Sequence, residues 1–177
     1  MPVMLGKQLT LKPQDLIVAL KIAVNSDREF TYAQLATELF MSPSEVHTSV
    51  KRAKTCGLLV RTGAQAASLY AIHEFLTHGI QYVFPPVNGM LTRGILTGLA
   101  GPPLSEYFPL TDGLPQVWAT PEGTSQGIAL VPLYPSVPFA CTVDSKLYSV
   151  LTLVDALRGG KAREREIATR LVKEFLK

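Results

Sequence analysis

The chain has 177 residues, of which 47% are hydrophobic and 18% are charged, a composition typical of a folded globular protein rather than a disordered one. Its net charge of +3 is too small by itself to indicate a nucleic-acid partner, so the distribution of charge matters more. No apolar run approaches the roughly 20 residues of a membrane span, and the N-terminus lacks a signal-peptide pattern. We therefore expect a cytoplasmic protein without membrane contact.

Two helices are predicted near the N-terminus. Residues 13–25 have apolar side chains at helical spacing, and Pro13 suits the first turn of such a helix. A second, shorter helix follows after a hinge. Its start is indicated by Thr31 and Gln34, which have the three-residue spacing of a capping box.

A third helix is predicted from the same kind of signal. Ser42 and Glu45 repeat the capping-box spacing, and Pro43 occupies the first helical position. Gly57 marks the end of this helix, after about residue 55. Spacings of four and three residues predict its buried face: Val46, Val50 and Ala53.

A short β-hairpin is predicted next, with strands at 58–62 and 68–72 around a turn at 63–67. Three helices followed by a hairpin is the order of a winged helix-turn-helix. Over residues 10–75, and mainly in LATELFMSPSEVHTSVKRAKTCGLLV, the chain resembles winged-helix regulators of the broad MarR-like group. Phe40 stands at the turn where such proteins usually have glycine. The resemblance implies a DNA-binding domain whose third helix enters the major groove.

The polar face of the third helix is the predicted DNA contact, because the stretch from 44 to 61 has four cations and one acid. Four residues share the outward face nearest its N-terminal half, where base edges are within reach: Ser44, His47, Thr48 and Lys51. Arg52 and Lys54 lie further along and suit phosphates. Arg61, in the predicted wing, suits phosphate or a minor-groove edge. The alternatives are an ordinary solvated helix face and a wing that touches nothing.

The rest of the chain predicts an α+β fold with two further segments. Residues 79–144 contain ten of the 13 prolines and eight of the 13 glycines, together with aromatic residues that disordered segments usually lack. We expect an ordered, irregular segment with short strands, packed on the helices. Residues 145–177 predict a helical hairpin that breaks at Gly159 and Gly160. The predicted domains are therefore 1–78, 79–144 and 145–177.

The apolar face of this C-terminal hairpin is predicted to supply a dimer contact, with packing on its own winged helix as the alternative. The residues concerned are Leu147, Leu151, Val154, Leu171 and Phe175.

Motifs for catalysis or metal binding are missing from the sequence. His73 and His78 are five residues apart, which is not the spacing that places two ligands on one helix face, and Cys56 and Cys141 are interpreted as reduced thiols. We expect no enzyme activity, metal or cofactor. The leading hypothesis is a homodimeric, sequence-specific regulator of transcription, a repressor that binds double-stranded DNA. The alternative is a winged-helix module that binds a protein partner, such as an antitoxin-like protein paired with a neighbouring toxin.

Overall fold

The computed structural model describes residue 6 and residues 8–63, 65–109 and 113–177. These residues form an α+β fold of α-helices and a small sheet, as the sequence predicts. The elements are α1 (Pro13–Val24), α2 (Tyr32–Leu39), α3 (Pro43–Thr55), α4 (Leu69–His78), α5 (Ile80–Val83), β1 (Asn88–Thr97), β2 (Gln116–Ala119), β3 (Ser125–Leu130), α6 (Val137–Val143), α7 (Ser145–Gly159) and α8 (Ala162–Phe175).

Helix α1 lies at the centre of the fold, because α3, α4 and α7 all pack against it. The sequence predicted apolar residues on one stripe of this helix. Instead, every residue from Asp15 to Val24 is buried, including the charged side chain of Lys21. One continuous hydrophobic core extends from Leu16 in this helix to Leu176. The three predicted segments therefore share a single core.

The predicted starts of α2 and α3 are confirmed, with one difference. The Thr31 hydroxyl accepts a hydrogen bond from the Gln34 backbone N–H at 3.1 Å, and Gln34 Oε1 accepts one from the Thr31 N–H at 2.9 Å. Ser42 caps α3 by accepting from the Glu45 N–H at 3.1 Å. The predicted return bond from Glu45 is wrong: its carboxylate accepts from Gln14 Nε2 of α1 at 2.6 Å. A contact between helices replaces the local one.

The turn between α2 and α3 is built around Phe40, which has φ 54° and ψ 43°. This left-handed conformation is the one that glycine usually adopts at the end of a helix. The Met41 N–H donates to the Ala36 carbonyl oxygen at 3.0 Å, so the helix ends with the hydrogen bond typical of such a turn. The tight turn between the two helices therefore forms with phenylalanine at the glycine position.

The predicted β-hairpin is only partly correct. A single bridge pairs Leu59 with Ala67, while the predicted second strand at 68–72 is wrong because helix α4 begins there. A helix forms here because apolar residues recur at helical spacing from this segment onward. Ile72, Leu76 and Ile80 are all buried. The predicted turn includes Ala64, which lies outside the described residues.

The strands expected in the proline- and glycine-rich segment are confirmed. Strand β1 pairs antiparallel with both β2 and β3, and β2 pairs with β3 in parallel, so the three strands close on themselves. At ten residues, β1 is longer than the short strands that the sequence predicted. The C-terminal end of β1 and the turn after it contact α7, which places the small sheet against the helices.

The predicted C-terminal hairpin is confirmed, but the apolar side chains that were expected to form a dimer contact pack within their own chain. Helix α7 ends at Gly159, and α8 packs back against it. Neighbouring elements of the same chain cover α7, and its residues 150–158 are all buried. Four of the five side chains proposed for the dimer contact are buried, and Phe175 is half-buried. The hairpin thus fills the core of its own chain.

No helix in the described part of the chain is both long enough and apolar enough to cross a membrane.

Candidate nucleic-acid interface

Helix α3 has one packed face and one polar face. The predicted buried residues Val46, Val50 and Ala53 are confirmed, and Ser49 is also buried. This face packs against α1 and α2. Because the packed residues lie on one side, the opposite side of the helix is left for solvent or a partner.

The four residues predicted to reach base edges are all exposed: Ser44, His47, Thr48 and Lys51. The Thr48 hydroxyl donates to the Ser44 carbonyl oxygen at 2.9 Å, so its proton is used and its lone pairs remain as acceptors. The His47 ring stands beside Tyr32, with ring centroids 5.2 Å apart and planes inclined by 57°. Hydroxyl, imidazole and ammonium groups therefore line one surface.

Tyr32 is a residue of this surface that the sequence analysis missed. It is the first residue of α2, directly after the Thr31 cap, and its side chain is partly exposed next to His47. The capping box could have revealed it, because the residue after a cap lies at the exposed start of its helix. Its phenol both donates and accepts hydrogen bonds.

Arg52 was predicted to bind phosphate, and the structure contradicts this. Its side chain is 11% exposed, and its Nε and Nη2 donate to the carboxylate of Asp15 at 2.7–3.0 Å. This bidentate hydrogen bonding raises the pKa of Arg52, so the guanidinium stays charged. Asp15 itself is completely buried at the start of α1. Arg52 thus fixes α3 to α1 instead of facing a partner.

The remaining predicted cations come together at one end of α3. Lys51, Lys54 and Arg61 line an open depression of about 350 Å³ with Thr55, and we name it the basic depression. Lys51 and Arg61 are exposed, and Lys54 is half-buried. None of the three cations forms an ion pair with another described residue. Their charge is available to an anion.

Two buried polar clusters away from α3 hold the fold together, and the sequence analysis missed both. In the first, the carboxylate of Asp155 in α7 accepts hydrogen bonds from Thr97, Trp118 and Arg158, each at 2.7 Å. Arg158 Nε also donates to the Phe84 carbonyl oxygen at 2.8 Å. These bonds attach the sheet and the chain before it to α7.

The second cluster joins α1, α2 and α7 through Lys21. Its ammonium lies 2.5 Å from Asp144 and 2.6 Å from Glu38, and Asn25 donates to Asp144 at 2.9 Å. Burial acts to raise the pKa of Asp144, but hydrogen bonds from Lys21, the Leu147 N–H and Asn25 outweigh it, so the pKa is lowered. The carboxylate is therefore the stable form.

Other candidate chemistry is sparse in the part of the chain that the structure describes. No three His, Cys, Asp or Glu side chains within it lie close enough together to hold a metal ion. Cys56 is exposed at the end of α3, Cys141 is buried in α6, and both are free thiols.

Comparisons with protein-family models, curated proteins and solved structures find no match to this chain. Its function is therefore inferred from the polar face of α3 and the basic depression.

Proposed function

We propose that this protein is a sequence-specific, double-stranded DNA-binding regulator of transcription in which α3 enters the major groove. The observation that carries the proposal is the exposed polar face of α3, which leads directly to the unpaired cations of the basic depression. In this proposal α1, α2, α3 and the Leu59–Ala67 bridge form a winged helix-turn-helix with a very small wing.

The two ends of the polar face take different roles in this proposal. Ser44, His47 and Thr48 lie in the N-terminal half of α3, the half of a recognition helix that contacts base edges. These residues recognise the base sequence, and Lys51 lies at the boundary between them and the phosphate-binding residues. Lys54 and Arg61 bind phosphates, which contribute affinity and orientation but no sequence information. Tyr32 adds a hydroxyl at the edge of this surface.

The fixed orientation of α3 supports this division. Its Arg52–Asp15 ion pair is almost completely buried and bidentate, which gives geometric specificity as well as energy. A recognition helix must hold its side chains in register with the bases. We therefore assign Arg52 a positioning role in place of the phosphate contact predicted from the sequence.

A homodimer and a repressor role complete the proposal. One short helix reads too few base pairs to select a site in a genome, whereas two copies on a palindromic operator double the number read. A protein bound in this way acts as a repressor when its operator overlaps a promoter. The contact between the two subunits is expected outside the apolar face of the C-terminal hairpin, because those side chains are covered within the chain.

The direct test is selection of duplexes from a random-sequence library by the purified protein. We expect a palindromic sequence to be enriched. Thr48→Ala and His47→Ala should change the preferred base at a few positions of each half-site. Lys54→Ala is the matched control: it should weaken binding but leave the selected sequence unchanged. A library that stays random after repeated rounds would rule out sequence-specific recognition.

A second candidate function is the winged-helix protein-interaction module, such as an antitoxin-like partner of a toxin. The observation that favours it is a pair of exposed aromatic rings, Phe40 and Phe139, beside the turn that leads to α3. One chain can have both functions. Salt separates them, because binding to DNA phosphates weakens steeply as salt is raised.

A further inference from the structure

Phe40 occupies an unfavourable backbone conformation for a residue with a side chain. Its φ of 54° places it in the left-handed region, where a Cβ atom approaches the following carbonyl oxygen. The residue is 53% exposed, so burial in its own chain does little to offset this strain. Glycine would form the same turn without strain. Strained residues of this kind cluster at functional sites, which points to a role for the ring outside the fold.

The ring of Phe40 forms one wall of an aromatic depression. Phe139 of α6 is 44% exposed, and its ring centroid lies 6.0 Å from that of Phe40 with the planes inclined by 43°. Tyr134, Pro135 and Ser136 complete the lining of a space of about 600 Å³, which we name the aromatic depression. Three aromatic rings and one proline ring thus line the same opening, and none of the described residues that line it is charged.

A buried hydroxyl in this lining has no hydrogen-bond partner. Ser136 is 7% exposed, and no other described residue accepts from or donates to its Oγ. Its Oγ is covered by the protein, so a ligand in the depression does not contact it. The phenol of Tyr134, a partly exposed residue, is the hydroxyl of this lining that can donate to a ligand carbonyl oxygen.

We propose that the aromatic depression binds a proline-rich segment of a partner protein in the polyproline II conformation. Such segments pack their rings in aromatic-lined grooves. Their carbonyl oxygens are solvated, and proline has no backbone N–H, so the phenol of Tyr134 is the appropriate donor. The uncharged lining matches an uncharged segment. This proposal is independent of DNA binding and rests on the second candidate function, the protein-interaction module, because both use the Phe40–Phe139 pair.

The size of the depression argues against a second copy of this chain as the occupant. Phe40 and Phe139 each expose on the order of 100 Å², since a whole aromatic side chain buries about 150–250 Å² and about half of each residue is exposed. A stable protein pair buries roughly 800 Å² on each partner. The two phenylalanine rings together provide about a quarter of this area, which suits a short segment.

Calorimetric titration with a ten-residue polyproline peptide tests the proposal, with a Gly-Ser peptide of equal length as control. We expect the wild-type protein to bind only the polyproline peptide. Phe40→Gly should weaken binding about tenfold or more, as loss of a stacking ring does. The same variant should keep or raise the melting temperature, because it relieves the strained turn. Phe139→Ala should also weaken binding, whereas Tyr82→Ala, at a 77% exposed tyrosine elsewhere, should not.

Three results would overturn the proposal. The first is no heat of binding with millimolar polyproline peptide. The second is a Phe40→Gly protein that melts several degrees lower, about what a loss of 1 kcal/mol causes, because the ring would then serve the fold. The third is a wild-type dimer that Phe40→Gly converts to monomer in sedimentation, because the occupant would then be a second copy.

Discussion

Helices α3 and α7 have similar apolar spacing in the sequence but opposite surroundings in the fold. Helix α3 buries one face and leaves its polar face open, whereas residues 150–158 of α7 are buried on all sides. Both helices contain charged residues, but α7 uses Asp155 and Arg158 to satisfy buried groups of its own chain. A partner can therefore be bound by α3, and α7 is left with a structural role.

The same contrast exists within α3 itself. Arg52 and Lys54 are two residues apart, yet Arg52 is held by the buried Asp15 and Lys54 lines the basic depression. A cation in a predicted recognition helix is thus a contact residue only if its charge is not already satisfied inside the protein. Substitutions at these two positions therefore separate effects on stability from effects on binding.

The largest effect is expected from Val50→Asp, because Val50 is in the packed face of α3 and is almost completely buried. An unpaired charge at this position should cost about 4–5 kcal/mol or more, enough to unfold much of a typical domain. His47→Asp, on the exposed face, is the control and should change stability by less than about 0.5 kcal/mol. Thermal melts that are identical for Val50→Asp and wild type would show that α3 is rotated from this orientation.

A smaller effect is expected from Arg52→Ala. Removing the guanidinium leaves the carboxylate of Asp15 buried without its charged partner, which typically costs about 3–5 kcal/mol. Lys54→Ala should change stability by less than about 0.5 kcal/mol, because its charge is not used in the fold. Urea denaturation of both variants measures the difference. Equal stability of Arg52→Ala and wild type would contradict the positioning role and favour the phosphate contact predicted from the sequence.

The acid side of the stability profile should depend on Asp144. Its folded pKa lies below the ordinary 3.8, so its stabilising contribution is present above the unfolded pKa and is lost as pH falls through the folded pKa. Stability should therefore decrease below about pH 4. In Asp144→Asn, which keeps a side-chain oxygen at the start of α7, the decrease from pH 7 to pH 3 should be smaller. Equal decreases in the two proteins would show that Asp144 gains no stabilisation from Lys21.

Local patterns in the sequence predicted the helices and their starts, because caps and apolar spacing act over a few residues. Thr31 and Ser42 cap α2 and α3 as predicted, and the buried face of α3 is correct. The residues of α3 that were predicted to contact DNA are those that remain once the buried face is set aside. These features require no knowledge of distant contacts.

Long-range contacts account for the features that the sequence analysis missed. The partner of Arg52 is 37 residues away in α1, and the donor to Glu45 is 31 residues away. The burial of α7 depends on packing against α1, α5 and α8, which no local pattern contains. Packing of α4 on α1, α7 and α8 likewise favours helix over the strand predicted at 68–72.

Salt titration of DNA binding tests the central claim, that α3 and the basic depression bind the duplex. The slope of log affinity against log salt should be negative for wild type. For Lys51→Ala/Lys54→Ala/Arg61→Ala it should be flatter by about 0.9 per lost phosphate contact, or roughly 2–3 in total. A control with equal charge loss at the N-cap and on the surface of α8, Lys161→Ala/Arg163→Ala/Lys173→Ala, should keep the wild-type slope. A wild-type protein that does not bind duplex at low salt, or equal slopes for all three proteins, would contradict the account.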